Sequence, residues 1–518
     1  MGKGTRRFGL ITTNSLRQTF NRRVLEPHLN DLKKPLSLLF AIPDHPWVDT
    51  QFGAAVRIAM TVGAAGNRGG RLLTVASESK EISEADGHAV TFDYRVGKVF
   101  ANLQVGADVA GTLPLLANDG LSSRGMMLFG SGFIVEEEKA IELGLGRLDG
   151  AKQHLKQYRN GRDINAVSRD LFVIDLLGLT EADVRSKYPA IYQHLLDTVK
   201  PERDSNRRVK IRDIWWIFGE PRKVIRPALL GLGRYIVTVE TSKFRTFQFL
   251  EESILPDNKL VAIALNSGEE LGLLSSSFHE VWSLATGSWL GVGNDPVYAK
   301  SKCLDPFPFP EFSNEQRTHL RRLGEDLDAH RKRQQAAHPK LTLTQMYNVL
   351  EKLRAGDTIE GKDKVIYDQG LISILRDLHD QIDAAVADAY GWPVDLSDED
   401  ILMRLVVLNK ERAEEEARGH IRWLRPEYQN PTGAQAALGK TTDMDLGVVA
   451  KVEKAPWPKT MPEQIAAVRE ALTEMGEATP EQIARRFVRG RAVTVEPLMD
   501  SLAALGQAER GEDGRFAA

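Results

Sequence analysis

Between residues 188 and 310 the chain interleaves β-prone runs such as RYIVTV and NKLVAIAL with arginines, lysines, tryptophans and phenylalanines, then closes on LGVGNDPVYAKSKCLDPFPFP. β-branched runs beside helical spacings such as EELGLLSSSFHEVWSLATG call for a mixed α+β module, read here across roughly 115–310. A segment both cationic and aromatic-rich suits a ligand with phosphates and flat rings, which points toward nucleic acid.

The charge is patchy rather than uniform. The 518 residues carry a formal net charge of -3, with 42% hydrophobic and 27% charged residues, the composition of an ordinary globular protein. Residues 1–34 hold eight Lys/Arg against two acids, and 201–245 hold eleven against five. Residues 395–416 reverse the sign, with eight acids against three basic residues. Local basic patches on a near-neutral chain fit a protein that grips DNA on one face. Length alone suggests roughly three or four domains.

Cys303 is the only cysteine, which excludes an intrachain disulfide and a cysteine zinc cluster. There is no apolar run of membrane-spanning length and no signal-peptide pattern, so the expected setting is the cytoplasm, with no membrane partner. No HExxH or paired metal spacing occurs, and no metal is expected. GLGRY and LGVGND lack the GxGxxG spacing, and the GKTT at 439–442 lacks the upstream glycine of a phosphate loop.

Along the chain, RFGLITTNS reads as a buried strand, with a helix starting near Asn14 or Ser15. PLSLLFAIPDHPW and AAVRIAMTVGAAG continue an α/β alternation of helix and strand, and GAAGNRGGR turns the chain. Residues 87–105 show little pattern. TEADVRSKYPAIYQHLLDTV has helical spacing, with Pro189 marking a junction between two helices. Residues 312–424 read as mostly helical, broken by polar runs such as HRKRQQAAHPK. Three further helical pieces and a possible β tail follow 456, a winged-helix-like pattern that a protein-contact module would share.

The cations Arg207, Arg208, Lys210, Arg212, Arg222, Lys223 and Arg226, with Lys243 and Arg245 beyond them, are the candidate DNA-binding set. Trp215, Trp216, Trp282 and Trp289 are candidates for stacking, with a place in the core as the commoner role for tryptophan. DPFPFP at 305–310 is a packed, rigid link rather than a catalytic loop, because its prolines alternate with phenylalanine.

Ordered blocks over about 430 residues resemble one family. ITTNSLRQTFNRR, FAIPDHPWVD and GAAVRIAMTV look like the post-catalytic part of MmeI-like, adenine-specific DNA methyltransferases of type IIG/IIL restriction–modification systems. YRNGRDI, VIDLLGLTEADVR, WWIFGEPR and LGVGNDPVYAKSKCLDPFPFPE resemble that family's target-recognition region, and WLRPEYQ at 423–429 extends the match. The resemblance implies a partial, α/β S-adenosylmethionine-dependent methyltransferase fold, an α+β target-recognition module and a mainly helical C-terminal region. It implies 1–75 as the end of a class I methyltransferase domain, 76–114 as a connection and 115–310 as the target-recognition domain. A helical domain at 311–430, a linker at 431–456 and a winged-helix-like module at 457–518 complete the expected layout.

The family's cofactor loop and Asn-Pro-Pro-aromatic catalytic loop do not occur in this sequence. The resemblance therefore implies no catalytic and no cofactor-binding residue here, with S-adenosyl-L-methionine bound by the missing N-terminal half or a partner, and a separately encoded N-terminal methyltransferase half as the expected protein partner. It implies double-stranded DNA as the other partner, an adenine flipped from the duplex, and Asn14, Arg17, Gln18 and Arg22 near the DNA-facing edge. Three readings stay open: one part of a split methyltransferase, a stand-alone DNA-binding or regulatory protein, and an inactive fragment of a longer enzyme.

Overall fold

The computed structural model describes residues 5–17, 21, 24–31, 33–46, 57–78, 90–290, 295–431, 455–458, 460–475, 477–484, 486–488, 492–504, 508–510 and 516–517. Two compact units divide the chain, 1–436 and 437–518.

The first unit opens on a five-stranded sheet. Its strands are β1 (Arg7–Thr13), β2 (Leu36–Pro46), β3 (Arg57–Ala65), β4 (Gly70–Glu78) and β5 (Val90–Gly97), in the order β1-β3-β2-β4-β5. Only β2 and β4 run parallel; the other pairs are antiparallel. The expected helix–strand alternation is corrected here, because FAIPDHPW and VRIAMTV are neighbouring strands. Short apolar runs cannot be assigned to helix or strand by period alone, and the prolines mislead. Pro43 falls where the β2–β3 register slips, between Ile42 and His45, and Pro46 ends the strand. The patternless stretch contains β5. Leu38, Ala41, Ala59 and Leu72 form a small core with Leu25, Leu29, Val99 and Leu103. β1 is not the buried strand expected: Leu10 is 40% exposed and Ile11 63%. Adjacent strand residues point to opposite faces, so β1 is open on both.

Besides a two-stranded pairing of Ser288–Leu290 with Asp295–Val297, the described residues of this unit form two further sheets of four strands each. One has the order β11-β10-β13-β6, from β6 (Ser122–Arg124), β10 (Arg234–Val239), β11 (Phe247–Glu251) and β13 (Leu260–Ile263). The other has the order β12-β8-β9-β7, from β7 (Ile134–Val135), β8 (Leu155–Arg159), β9 (Phe172–Ile174) and β12 (Leu255–Pro256). The second sheet has its own core, in which Phe133, Val173, Ile191 and Trp215 are buried. The first packs against the helices Gly268–Leu274, Ser277–Thr286, Asn314–Ala337, Leu343–Ala355, Ile372–Tyr390 and Asp398–Ala417. That core is continuous from Leu121 to Leu405, so residue 310 does not separate two cores as the expected boundary there requires. The 305–310 link lies inside it. Asn118 Nδ2 donates to the carbonyls of Leu304, Asp305 and Phe307, and Asn409 Nδ2 to that of Pro306.

Local signals set several of these helices. Thr180 and Asp183 form a capping box at the start of Glu181–Lys187, and Pro189 is the first residue of Pro189–Thr198, where its missing N–H costs nothing. Gly268 and Gly324 let two helices cross at backbone contact, since a Cβ on either would run into the other helix's carbonyls. HRKRQQAA does not break the pattern. It continues the 24-residue helix Asn314–Ala337 because its polar groups find buried partners: His330 Nε2 pairs with the Gly370 carbonyl at 3.0 Å, and Arg331 Nη1 donates to that of Phe247 at 2.8 Å.

The second unit has helices Met461–Met475, Pro480–Ala484 and Ala492–Ala504, with short strands Glu477–Ala478, Phe516–Ala517 and Glu509–Arg510 forming a three-stranded sheet. Val468, Leu472, Ile483, Met499, Leu502 and Phe516 make its core. The expected linker falls almost wholly outside the described residues, as 432–454.

Candidate nucleic-acid interface

The basic segment from 200 to 226 is organised by a residue the sequence gave no reason to single out. Arg203 lies in the short helix Lys200–Asp204 and is 1% exposed. Its guanidinium donates to four main-chain carbonyls: Phe129 at 2.6 Å, Leu128 at 2.7 Å, Ile217 at 3.1 Å and Ile211 at 3.2 Å. A buried arginine without a carboxylate partner is tolerable only when its donors are satisfied in this way. The result is a clamp that fastens the helix Val209–Asp213 and the turn after it to the 125–129 segment.

That segment carries the rest of the face. Met127 and Glu220 exchange main-chain hydrogen bonds at 3.1 and 3.0 Å. The Phe129 ring packs so closely over Gly219 that a Cβ there would collide with it. Arg208 lies over the same ring, 5.7 Å from its centroid. Four residues away, Arg222 Nε donates to the Gly125 carbonyl at 3.1 Å. The clusters 207–212 and 222–226 are thus both anchored on the segment Gly125 to Phe129, whose ends are no more than about 14 Å apart along the chain.

The predicted cations separate by what their charges meet. Arg207, Arg208, Lys210 and Lys223 are exposed, and among the described residues none has a carboxylate in ion-pair range. Arg212 is half-buried and donates to the carbonyls of Asn206 at 2.8 Å and Arg207 at 3.2 Å, so it braces the turn. Arg222 is half-buried, pairs with Glu220 at 2.5 Å and holds a left-handed φ of 52°. Lys243 is exposed but engaged by Asn348 at 2.7 Å and Glu351 at 3.0 Å.

Two members of the predicted set are corrected. Arg245 is buried, with donors directed to the carbonyls of Val239 and Pro296 and to the Thr238 hydroxyl, and no face is open to a phosphate. Arg226 forms a two-pronged ion pair with buried Asp175 and donates from Nε to the Pro221 carbonyl at 2.7 Å. Both side chains hold the frame. Asn14 donates from Nδ2 to Asp44 at 3.1 Å in a half-buried position. Arg17 ends the turn Asn14–Arg17, and Gln18 and Arg22 lie outside the described residues.

Three of the four candidate tryptophans are framework as well. Trp282 is fully buried and donates to the Cys303 carbonyl at 3.0 Å. Trp215 is buried edge-on against Tyr192, and Trp216 donates to the Leu179 carbonyl at 3.0 Å. Trp289, in the hairpin strand Ser288–Leu290, remains exposed. No group of three or more metal-ligating side chains occurs among the described residues. What this face offers a ligand is unpaired positive charge on a rigid frame, a setting in which phosphate oxygens take the place of absent carboxylates.

No protein-family model matches the sequence, and no curated protein matches it. Solved structures do. The type IIL restriction–modification enzyme MmeI, determined in complex with DNA, superposes with a TM-score of 0.57 at 15% identity over 79% of this chain and 50% of that one. The type IIG restriction endonuclease BpuSI aligns over 74% of this chain and 47% of its own, with 11% identity and a TM-score of 0.24, too low to carry weight. The chain therefore spans about half the length of the MmeI chain, and the likeness is one of fold. Among the described residues no helix is long and apolar enough to cross a membrane.

Proposed function

We propose that this chain is the DNA-reading part of a restriction–modification methyltransferase that modifies adenine N6. The observation that carries the reading is its fold likeness to MmeI, an enzyme solved on DNA. The unpaired cations Arg207, Arg208, Lys210 and Lys223 support it, because such a face suits a phosphate backbone. Residues 115–310 select the target in this reading, and the β1–β5 sheet completes the methyltransferase fold.

β1 ends its sheet, pairing with β3 alone among the described residues, and Leu10 and Ile11 are exposed on its two faces. An unpaired apolar strand edge favours pairing with another strand. We assign it to the methyltransferase half that holds S-adenosyl-L-methionine and the catalytic loop. The sequence holds no counterpart of that family's cofactor loop. An open groove of about 600 Å³ lies beside Tyr390 and Trp392; Arg404, Arg412 and Arg422 line it together with Glu311 and Glu411, and Arg412 and Arg422 are both paired with Glu311. This chain's part in the reaction is to hold the duplex so that a flipped adenine stays in one place.

Isolation of the protein from its own host, with mass spectrometry of what accompanies it, tests this. A stoichiometric partner bearing both missing loops, and transfer of labelled methyl groups to adenine N6 of duplex DNA by the pair, is the expected result. A chain recovered alone that gains no methyl-transfer activity from any co-encoded protein contradicts the methyltransferase assignment.

A further inference from the structure

Beside the cationic face lies an apolar feature that charge does not explain. The helix Ile225–Leu229 buries Ile225, Ala228 and Leu229, while Val224, Pro227 and Leu230 are exposed. Positions three apart lie on one side of a helix, so these three form a ridge. Val224 at 77% and Leu230 at 75% are the two most exposed large apolar side chains among the described residues.

The ridge is held rigidly. Arg226, inside the helix, is pinned by Asp175, with Nη1–Oδ2 at 2.6 Å and Nη2–Oδ1 at 3.1 Å. Arg222, just before it, keeps a left-handed φ of 52° while bonded to Gly125 and Glu220. A non-glycine residue persists there only where its surroundings fix it. The next residue, Lys223, is exposed and has no carboxylate partner among the described residues. An apolar ridge preceded by a free cation, on the frame that carries Arg207, Arg208 and Lys210, matches duplex DNA. Its phosphates take the cations, and its groove floor takes uncharged side chains.

We infer that Val224, Pro227 and Leu230 form a wedge that seats in a groove of double-stranded DNA while Lys223 contacts the flanking phosphate. The inference rests on the DNA-reading assignment above. Phosphate contacts release counterions and so set the slope of affinity against salt, whereas apolar contacts change affinity without changing that slope. The two roles are therefore separable in one experiment.

The full chain is titrated into a labelled random-sequence duplex at a series of salt concentrations, alongside the V224A/L230A and Lys223→Gln variants. V224A/L230A is expected to lose about tenfold in affinity at every salt concentration with the slope unchanged. Lys223→Gln is expected to lower the slope by about 1. Both substitutions are at exposed positions, so unchanged thermal midpoints confirm that folding is intact. A V224A/L230A protein that binds like the parent overturns the wedge and leaves DNA binding standing. A loss that appears as a changed slope also overturns it, since the ridge then acts only by placing cations. A parent chain with no affinity at low salt overturns both the wedge and the reading beneath it.

Discussion

Arg226 and Asp175 meet through two parallel hydrogen bonds, at 2.6 and 3.1 Å, across 51 residues of sequence. The pair ties the helix Ile225–Leu229 to the chain just after β9, and so ties the exposed ridge to the second sheet. Asp175 is 4% exposed at its side chain, and Lys156 approaches it more distantly at 3.9 Å.

Removing Arg226 leaves the buried Asp175 charge with only the distant Lys156. Arg226→Ala is expected to lower unfolding free energy by about 3 kcal/mol in urea titrations. Arg226→Lys recovers little, because an ammonium cannot reproduce the fork. Full recovery by lysine would contradict the two-pronged role.

Arg203→Met keeps most of the side-chain volume and takes the arginine donor from four carbonyls, of which only that of Leu128 keeps another, the Gly219 N–H at 3.2 Å. The expected cost is about 3 kcal/mol, with DNA affinity lost in parallel because the clamp under Arg207, Arg208 and Lys210 opens. Intact stability in the methionine variant would show that the carbonyls find other donors.

His279 supplies a pH signature. Burial holds its pKa down at about 3, with the nearby Arg245 charge adding to the effect, and Nε2 pairs with the Tyr298 hydroxyl at 2.9 Å. The unfolded chain takes up this proton near pH 6.5, whereas the folded chain does so only near 3. Its contribution is whole above about pH 6.5 and falls by about 1.4 kcal/mol for each unit below that, until about pH 3. Between pH 6.5 and 5 the parent should therefore lose about 2 kcal/mol more than His279→Gln. Parallel pH curves for the two proteins would contradict this.

Cys303 is fully buried, and burial pushes its thiol pKa up to about 11. Iodoacetamide at pH 8 should leave the native protein unmodified and label one site in denaturant, as read by intact mass. Rapid labelling of the folded chain would contradict the packing around Trp282 and Ser283.

The sequence was most legible where one residue carries a local rule. Pro189 at a helix start acts within one turn, so the junction of two helices was visible. The first sheet was not. Apolar runs of eight or so residues fit either a strand or a buried helix, and Pro43 hides a register slip that only the partner strand reveals.

The basic face was visible as composition and opaque as geometry. Arg203, Arg207, Arg226 and Arg245 are alike in sequence, yet one clamps carbonyls, one is free, one is paired and one is buried. What separates them is whether a carbonyl or carboxylate far along the chain comes within reach. The same holds for His330 and Arg331, whose polar run looked like a break and is a buried helix face bonded to Gly370 and Phe247.

The most direct test of the central claim is duplex affinity against salt for the full chain and for R207E/R208E/K210E. The account predicts binding to any duplex at low salt, a linear fall of log affinity with log salt, and a weaker, flatter response in the triple variant. Equal affinity and equal slope in the two proteins, with both folded, would contradict it.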